Sequence, residues 1–271
     1  MQLVKPFLKW PGGKFRLLDR ILYHLPQGDR LIEPFAGSGV VFLNASFKKF
    51  CIYDSSPDLI GLFQVLQQEG EFFIKVCQTF FTTRYNNANI YYTLRTIFNH
   101  SIHPFERAVL FLYLNRHSFN GLVRYNSMGL FNVPFGRYSN PYFPKKEMQA
   151  FLKKMKETSI TFAVCDFRDA FKNLCPGDVV YCDPPYLPLS NTSNFTTYSG
   201  KVFSYDDQKE LANLAYKASE QGIPVVLSNH DTPVTRELYS MAKIDYFSVQ
   251  RFISCNGEDR RVVPELMAIF I

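Results

Sequence analysis

The chain has 271 residues, 46% apolar and 20% charged, which excludes a disordered or fibrous protein and is enough to bury a sizeable core in one large domain or two modest ones. Its net charge of +6 is concentrated. Between Arg107 and Lys156 nine basic residues face the single acid Glu147, the footprint of a polyanion-binding segment, although Lys145 to Lys156 taken alone reads equally as a solvated helix face.

In chain order, Pro11-Gly12-Gly13-Lys14 suggests a phosphate loop, but the required glycine is Leu8 and the required Ser or Thr is Phe15, which disfavours a nucleoside triphosphate. Leu31 to Phe35 reads as a short strand, followed by Gly37-Ser38-Gly39 and a buried helix from Val40 to Phe47. Phe50 to Asp54 is a second strand ending in an acid. Ser55 or Ser56 caps a helix from Pro57 to Gln68, with Pro57 suited to the first turn. Three helical pieces fill Glu71 to Arg116, the most apolar running from Phe105 to Asn115 after Pro104. Turn signals at Asn120-Gly121, Ser127-Met128-Gly129 and Pro134-Phe135-Gly136 then predict an irregular hairpin, and Lys145 to Lys156 a basic helix. Strands are expected at Ile160 to Val164, Asp178 to Cys182 and Pro224 to Leu227, the last two flanking a helix from about Tyr205 to Ser219. Phe247 to Ile253 and Arg261 to Phe270 flank the hairpin turn signal Cys255-Asn256-Gly257.

The predicted fold is therefore α/β: a doubly wound, mostly parallel, Rossmann-like sheet with an antiparallel edge, interrupted by a helical and hairpin insertion. The expected division assigns residues 1–56 and 159–271 to the sheet and 57–158 to the insertion. The six cysteines form no C-x-x-C pair and read as buried free thiols in a reducing compartment, and the five histidines lack zinc spacing, so no metal is expected. No run of about 18 apolar residues occurs, and Met1 to Pro6 lacks an apolar signal core, so no membrane partner and a soluble, cytoplasmic location are expected.

Gly37-Ser38-Gly39 can bring backbone close to a ligand at a helix N-terminus, but Phe42 stands at the third glycine position of the dinucleotide fingerprint, and an ordinary strand-to-helix turn explains the loop as well. Asp54 can accept both hydroxyls of a ribose, or simply cap the next helix. Together they favour an adenosine-bearing ligand without need for phosphates. Asp183-Pro184-Pro185-Tyr186 places a carboxylate, a proline carbonyl and an aromatic face at the end of an apolar strand. Asp183 and the Pro184 carbonyl can accept the two N–H groups of an exocyclic amine while Tyr186 stacks on its ring. A rigid loop exit is the plainer reading.

Phe7-Leu8-Lys9-Trp10-Pro11-Gly12-Gly13-Lys14, Glu33 to Gly39 and Asp183 to Tyr186 occur in the order of the α-group amino methyltransferases. With Leu112 to Arg116, Asn132 to Tyr138 and Ser228 to Thr232, the chain closely resembles Dam-type DNA adenine-N6 methyltransferases over nearly its whole length. The resemblance implies S-adenosyl-L-methionine as cofactor, released as S-adenosyl-L-homocysteine, and double-stranded DNA as partner. The implied cofactor residues are Trp10, Lys14, Glu33, Phe35, Gly37, Ser38, Gly39, Asp54, Asp166, Phe167 and Asp183. The implied catalytic residues are Asp183, Pro184 and Tyr186.

The family's target is typically GATC, whose adenine must leave the duplex to reach the site. Arg124 matches a guanine reader, Leu122 and Pro134 match thymine-methyl contacts, and Lys9 matches a residue linked to the outer guanine. Asn120 matches a position near the flipped base, and Phe119 stands where the family often has Tyr, either ring being able to fill the vacated stack. Arg116 and Arg137 resemble phosphate contacts. Leu122 and Phe119 can equally be core. Alternatives of the same chemistry are a restriction-modification methylase with another short target, or an enzyme acting on RNA or protein. A sequence-specific DNA-binding protein on an inactive methyltransferase fold is the rival from outside enzymes. A monomer is the expected state.

Overall fold

The apolar runs become the strands of one sheet in a computed structural model, whose described residues are 3–186, 203–250 and 262–271. A short 3-10 turn, Lys14–Leu17, leads into α1 (Leu18–His24). The first half continues through β1 (Arg30–Glu33), α2 (Val40–Asn44), β2 (Lys49–Asp54), α3 (Pro57–Glu69), α4 (Glu71–Thr79), α5 (Ala88–His100) and α6 (Pro104–His117). The second comprises α7 (Lys145–Glu157), β3 (Ser159–Val164), α8 (Phe167–Ala170), β4 (Asp178–Cys182), α9 (Tyr205–Glu220), β5 (Val225–His230), α10 (Pro233–Leu238), β6 (Lys243–Gln250) and β7 (Val262–Phe270).

Among the described residues the sheet has seven strands in the order β3-β2-β1-β4-β5-β7-β6. Strands β3, β2, β1, β4 and β5 are mutually parallel, and β7 runs against both β5 and β6. This is the expected mostly parallel sheet with its antiparallel pairing at one edge. The turn signal at Cys255 to Gly257 lies outside the described residues.

Every residue of β4 and β5 is buried, because both faces are covered. The period of two sorts their side chains. Leu31, Val179, Tyr181 and Val226 enter one cluster with Phe42, Phe50, Phe63 and Phe151. Ile32, Val180, Cys182, Val225 and Leu227 enter another with Leu211, Ala215 and Tyr239. The first cluster runs on through Phe98 and Phe111, so the helices of residues 57–158 share a core with the sheet. Phe42, the residue that breaks the dinucleotide fingerprint, packs edge-on against Phe50 and Phe151 within it.

The helix expected over Val40 to Phe47 stops at Asn44, where Ala45 is extended. The Asn44 side chain is spent on the amino-terminal segment: it donates to the Val4 carbonyl and accepts the Val4 N–H. The strand expected to reach Phe35 ends at Glu33. Helices α1, α8 and α10 were not anticipated; only α10 has a strong local signal, a Thr232 cap followed by Pro233. The basic helix α7 is not merely solvated. It buries Met148, Phe151, Leu152 and Met155, and the Lys154 ammonium donates to the Ala45 carbonyl.

The predicted hairpin has only two isolated bridges, Ser118 to Phe135 and Tyr125 to Phe131. Side chains from α3 and α5 hold it instead of a ladder. Tyr125 donates to Asp58, Tyr91 and Arg95 both donate to the Val133 carbonyl, and Asn99 brackets Phe131. Among the described residues no helix is long and apolar enough to cross a membrane.

Candidate functional site

Strand order reverses between β1 and β4, and an open α/β sheet binds ligands beyond the carboxyl ends of the strands at such a point. The end of β1 carries Glu33 and the Gly37 loop; the end of β4 carries Asp183, Pro184, Pro185 and Tyr186. The amino-terminal segment crosses the same place. The Lys14 ammonium lies 2.8 Å from Asp183 Oδ1, 2.8 Å from the Gly12 carbonyl and 4.5 Å from the centre of the Tyr186 ring. Ser228 of β5 donates to the same Asp183 Oδ1 at 3.0 Å. Tyr186 meets the His230 ring edge-on at 4.6 Å, and its hydroxyl lies 3.5 Å from a Glu265 oxygen.

The glycine loop is held by Asp54 and Trp10. Asp54 Oδ2 accepts the Gly37 N–H at 3.0 Å and Oδ1 accepts the Ser56 N–H at 2.9 Å. Burial pushes the Asp54 carboxyl up, and these N–H groups oppose the shift. Gly37 and Gly39 both have left-handed φ, of 49° and 69°. A Cβ on Gly37 would come within 3.0 Å of the Trp10 indole, and one on Gly39 within 2.9 Å of the Phe151 ring. Glycine at 39 is therefore demanded by packing against α7 as well as by backbone conformation. Ser38 is buried.

Glu33 is 1% exposed, and among the described residues its Oε1 has no hydrogen-bond partner. Burial raises its carboxyl to about 8, assisted by the Asp183 charge and opposed by the Phe42 N–H. A proton held when folded is released on unfolding, so this contribution to stability is fully present below about pH 4.5 and is lost as pH rises to about 8. We expect Glu33→Gln to raise the unfolding free energy relative to wild type at pH 8 by on the order of a few kcal/mol, seen as a higher thermal midpoint, with little change at pH 5. Equal shifts at both pH values in calorimetric scans would contradict that assignment.

Phe35 and Phe167 stack at 5.6 Å, with Phe203 closing a third side at 5.6 and 5.4 Å. Asp166 is exposed; it caps α8 through the Arg168 N–H and pairs with the Arg168 guanidinium. A cavity of about 230 Å³ opens beneath α8, lined in part by Arg30, Cys51, Tyr53, Cys165 and Asp169, and none of Trp10, Lys14, Gly37 or Asp183 borders it.

The hairpin presents Phe119, Asn120, Arg124, Pro134 and Arg137 as exposed residues, with Leu122 half-buried. Asn120 and Arg137 both sit at φ 53°, a left-handed conformation that costs a non-glycine residue energy. Arg124 donates through Nε to Asn132 Oδ1 at 2.7 Å and through Nη2 to the Asn132 carbonyl at 3.4 Å, so its Nε edge is held by Asn132. Lys9 reaches the hairpin from the amino-terminal segment. Its stem fills the space beside Gly121, its ammonium stands 4.2 Å from the Tyr138 ring, and burial together with Arg116 lowers its pKa. Arg116 is not part of the exposed set: it is 9% exposed and donates to the Tyr142 carbonyl. The structure thus brings together Lys14, Asp183, Tyr186 and Glu33, and separately Lys9 with the hairpin. Ser228, His230 and Phe203 join the site unforeseen; Ser228 and His230 lie in a resembling motif, and Phe203 had no local signal.

The model of the family described as D12 class N6 adenine-specific DNA methyltransferase matches residues 10–253. A DNA adenine methylase of Serratia marcescens is 47% identical over the full length of both chains. The DNA adenine methylase of Escherichia coli K12 is 46% identical over all of this chain and 96% of its own, and that of Vibrio cholerae is 44% identical over all of this chain and 97% of its own.

Proposed function

The chain belongs to the D12 class of N6 adenine-specific DNA methyltransferases, and from that premise we propose that it transfers the methyl group of S-adenosylmethionine to adenine N6 in duplex DNA, within GATC, after the base is flipped from the helix. The observation that carries the reading is the Asp183 carboxylate at the switch point, its Oδ1 held by Lys14 and Ser228 beside the Pro184 carbonyl and the Tyr186 ring.

The residues present fit the cofactor. Glu33 Oε1 is an orphaned buried acceptor, and a cationic amino group is the partner it lacks. The glycine loop offers backbone where a Cβ would meet Trp10 or Phe151. Asp54 retains lone pairs for ribose hydroxyls, while Phe35 and Phe167 offer apolar surface for an adenine near Asp166. When bound, S-adenosylmethionine supplies an electrophilic methyl group on a sulfonium sulfur.

The remaining chemistry belongs to the chain. The N6 lone pair of adenine is delocalised into the ring, so the amine is a weak nucleophile. Asp183 Oδ2 and the Pro184 carbonyl accept its two N–H groups, favour tetrahedral geometry and free the lone pair. Asp183 acts as an orienting acceptor, and the proton leaves late. Tyr186 stacks on the base.

In this reading residues 57–158 form the DNA-binding portion, on which Arg124 reads a guanine, Leu122 and Pro134 meet thymine methyls, Phe119 fills the vacated stack beside Asn120, and Arg137 contacts phosphate. Lys9 adds an outer-base contact from the amino-terminal segment. Arg116, being buried, serves by holding the backbone near Tyr142. Arg124→Ala should lose about 1–3 kcal/mol of discrimination at one guanine. The check is the ratio of methylation rates on GATC and a duplex with that guanine replaced; an unchanged ratio refutes the assignment.

The deciding experiment incubates the protein with labelled S-adenosylmethionine and duplexes carrying GATC or single-base variants. Label at adenine N6 of GATC alone supports the whole reading. Label on another sequence replaces the target and the base readers. Transfer only to RNA or protein rejects the substrate.

A further inference from the structure

The Asp183 to Tyr186 turn is held by Lys14 and Ser228 at Asp183, and it is also held at Pro185 by a buried side-chain network from α9 and β5. Gln208, on the first turns of α9, is wholly buried, and its Nε2 donates to the Pro185 carbonyl at 2.7 Å. The other end of the amide is fully engaged. Gln208 Oε1 accepts from Asn229 Nδ2 at 3.1 Å and from the Tyr239 hydroxyl at 3.1 Å. Asn229 Nδ2 also donates to the Tyr239 oxygen at 2.8 Å, and Asn229 Oδ1 accepts the His230 N–H at 2.8 Å. Asn229 and Tyr239 are both fully buried. Every polar end of this network has a partner, so the Gln208 amide can face the turn in only one way, and disturbing it strands buried polar groups.

We propose that Gln208 is a positioning residue for methyl transfer, an inference that rests on the function proposed above. The proline rings lock φ at positions 184 and 185, and the amide joining them has no N–H. Pinning the Pro185 carbonyl therefore fixes ψ at 185, the backbone rotation that the two rings leave free ahead of Tyr186, whose own ring is held by Lys14, His230 and Glu265. The Pro184 carbonyl and the Tyr186 ring must meet one planar base together, one at its amine edge and one at its face. Gln208 reaches neither the base nor the cofactor; it acts through the orientation of the acceptor carbonyl.

The test compares wild type, Gln208→Met and Gln208→Glu by single-turnover methylation of a GATC duplex, with affinities for S-adenosylmethionine and DNA measured separately. Gln208→Met should lower the transfer rate at least about tenfold while both affinities stay within about twofold, since a loss confined to the rate marks an interaction needed at the transition state. Gln208→Glu, nearly isosteric, is the safeguard against misfolding. Ionised, it cannot donate to the Pro185 carbonyl; protonated, it can. Burial raises such a carboxyl, so its rate relative to wild type should recover between about pH 8 and about pH 6. A purely structural role predicts no such recovery. An undiminished rate for Gln208→Met, or a pH-independent ratio for Gln208→Glu, overturns the proposal for Gln208 alone. A wild-type protein that binds the duplex and S-adenosylmethionine but transfers nothing overturns the parent reading, and this inference with it.

Discussion

Asp183→Ala is expected to lower methyl transfer by about 10³-fold or more, because in the proposed mechanism one acceptor of the N6 hydrogens disappears together with the group that pairs with Lys14 and Ser228. The same substitution destabilises the protein. Lys14 is 9% exposed, and with Asp183 gone its ammonium keeps only the Gly12 carbonyl and the Tyr186 face. Breaking one side of a largely buried ion pair costs about 3–5 kcal/mol when the remaining charge stays buried, and rather less here, where Asp183 is partly accessible. The two consequences separate in the double variant. Lys14→Ala added to Asp183→Ala should recover much of the lost thermal stability and none of the activity. A single variant as stable as wild type would show that the pair is not structural. A single variant that still transfers at near-normal single-turnover rates would remove Asp183 from the mechanism.

Gly136→Ala should have the second-largest effect, and on DNA rather than on the cofactor. A Cβ there would lie 2.7 Å from the Ser118 carbonyl and 2.9 Å from the His117 carbonyl, backbone atoms at the end of α6 that cannot turn aside. It would also meet the Tyr138 ring at 2.5 Å. The Gly136 N–H donates to the His117 carbonyl, and the Phe119 N–H to the Pro134 carbonyl, so the two limbs of the hairpin must part at the point where Phe119, Asn120, Pro134 and Arg137 are displayed. Forced repacking of this kind costs about 1–3 kcal/mol, which, borne by the DNA-binding conformation, predicts a roughly 5- to 150-fold weaker affinity for a GATC duplex. Binding of S-adenosylmethionine should stay within about twofold. Fluorescence anisotropy with labelled duplex and calorimetry with the cofactor read the two separately; undiminished DNA affinity would show that the hairpin foot can yield, and an equal loss of both would point to global damage.

Much of the sheet was legible locally. Runs such as Val179 to Cys182 can only be strands covered on both faces, and Ser56-Pro57 announces the start of α3 through one cap and one proline. Short helices were missed where the local signal is thin: α8 has four residues and α1 lacks a side-chain cap. The hairpin of residues 118–138 was recognisable from its turn residues, but its support was not, since Tyr91, Asn99 and Asp58 act through side chains borrowed from helices.

The sequence by itself determined the alternation of strands and helices, the chemical groups at Asp183 to Tyr186, and the concentration of positive charge, because period, proline constraint and charge are properties of neighbouring residues. Only the tertiary structure decided that Lys14 and Ser228 converge on one oxygen of Asp183, that Phe203 closes a face beside Phe35 and Phe167, that Arg116 turns inward, and that Gln208 holds the Pro185 carbonyl of the Asp183 to Tyr186 turn. Each of these depends on which strands lie side by side and which helix covers them. Sheet order is settled by the joint burial of apolar surface from the whole chain, so no local pattern encodes it.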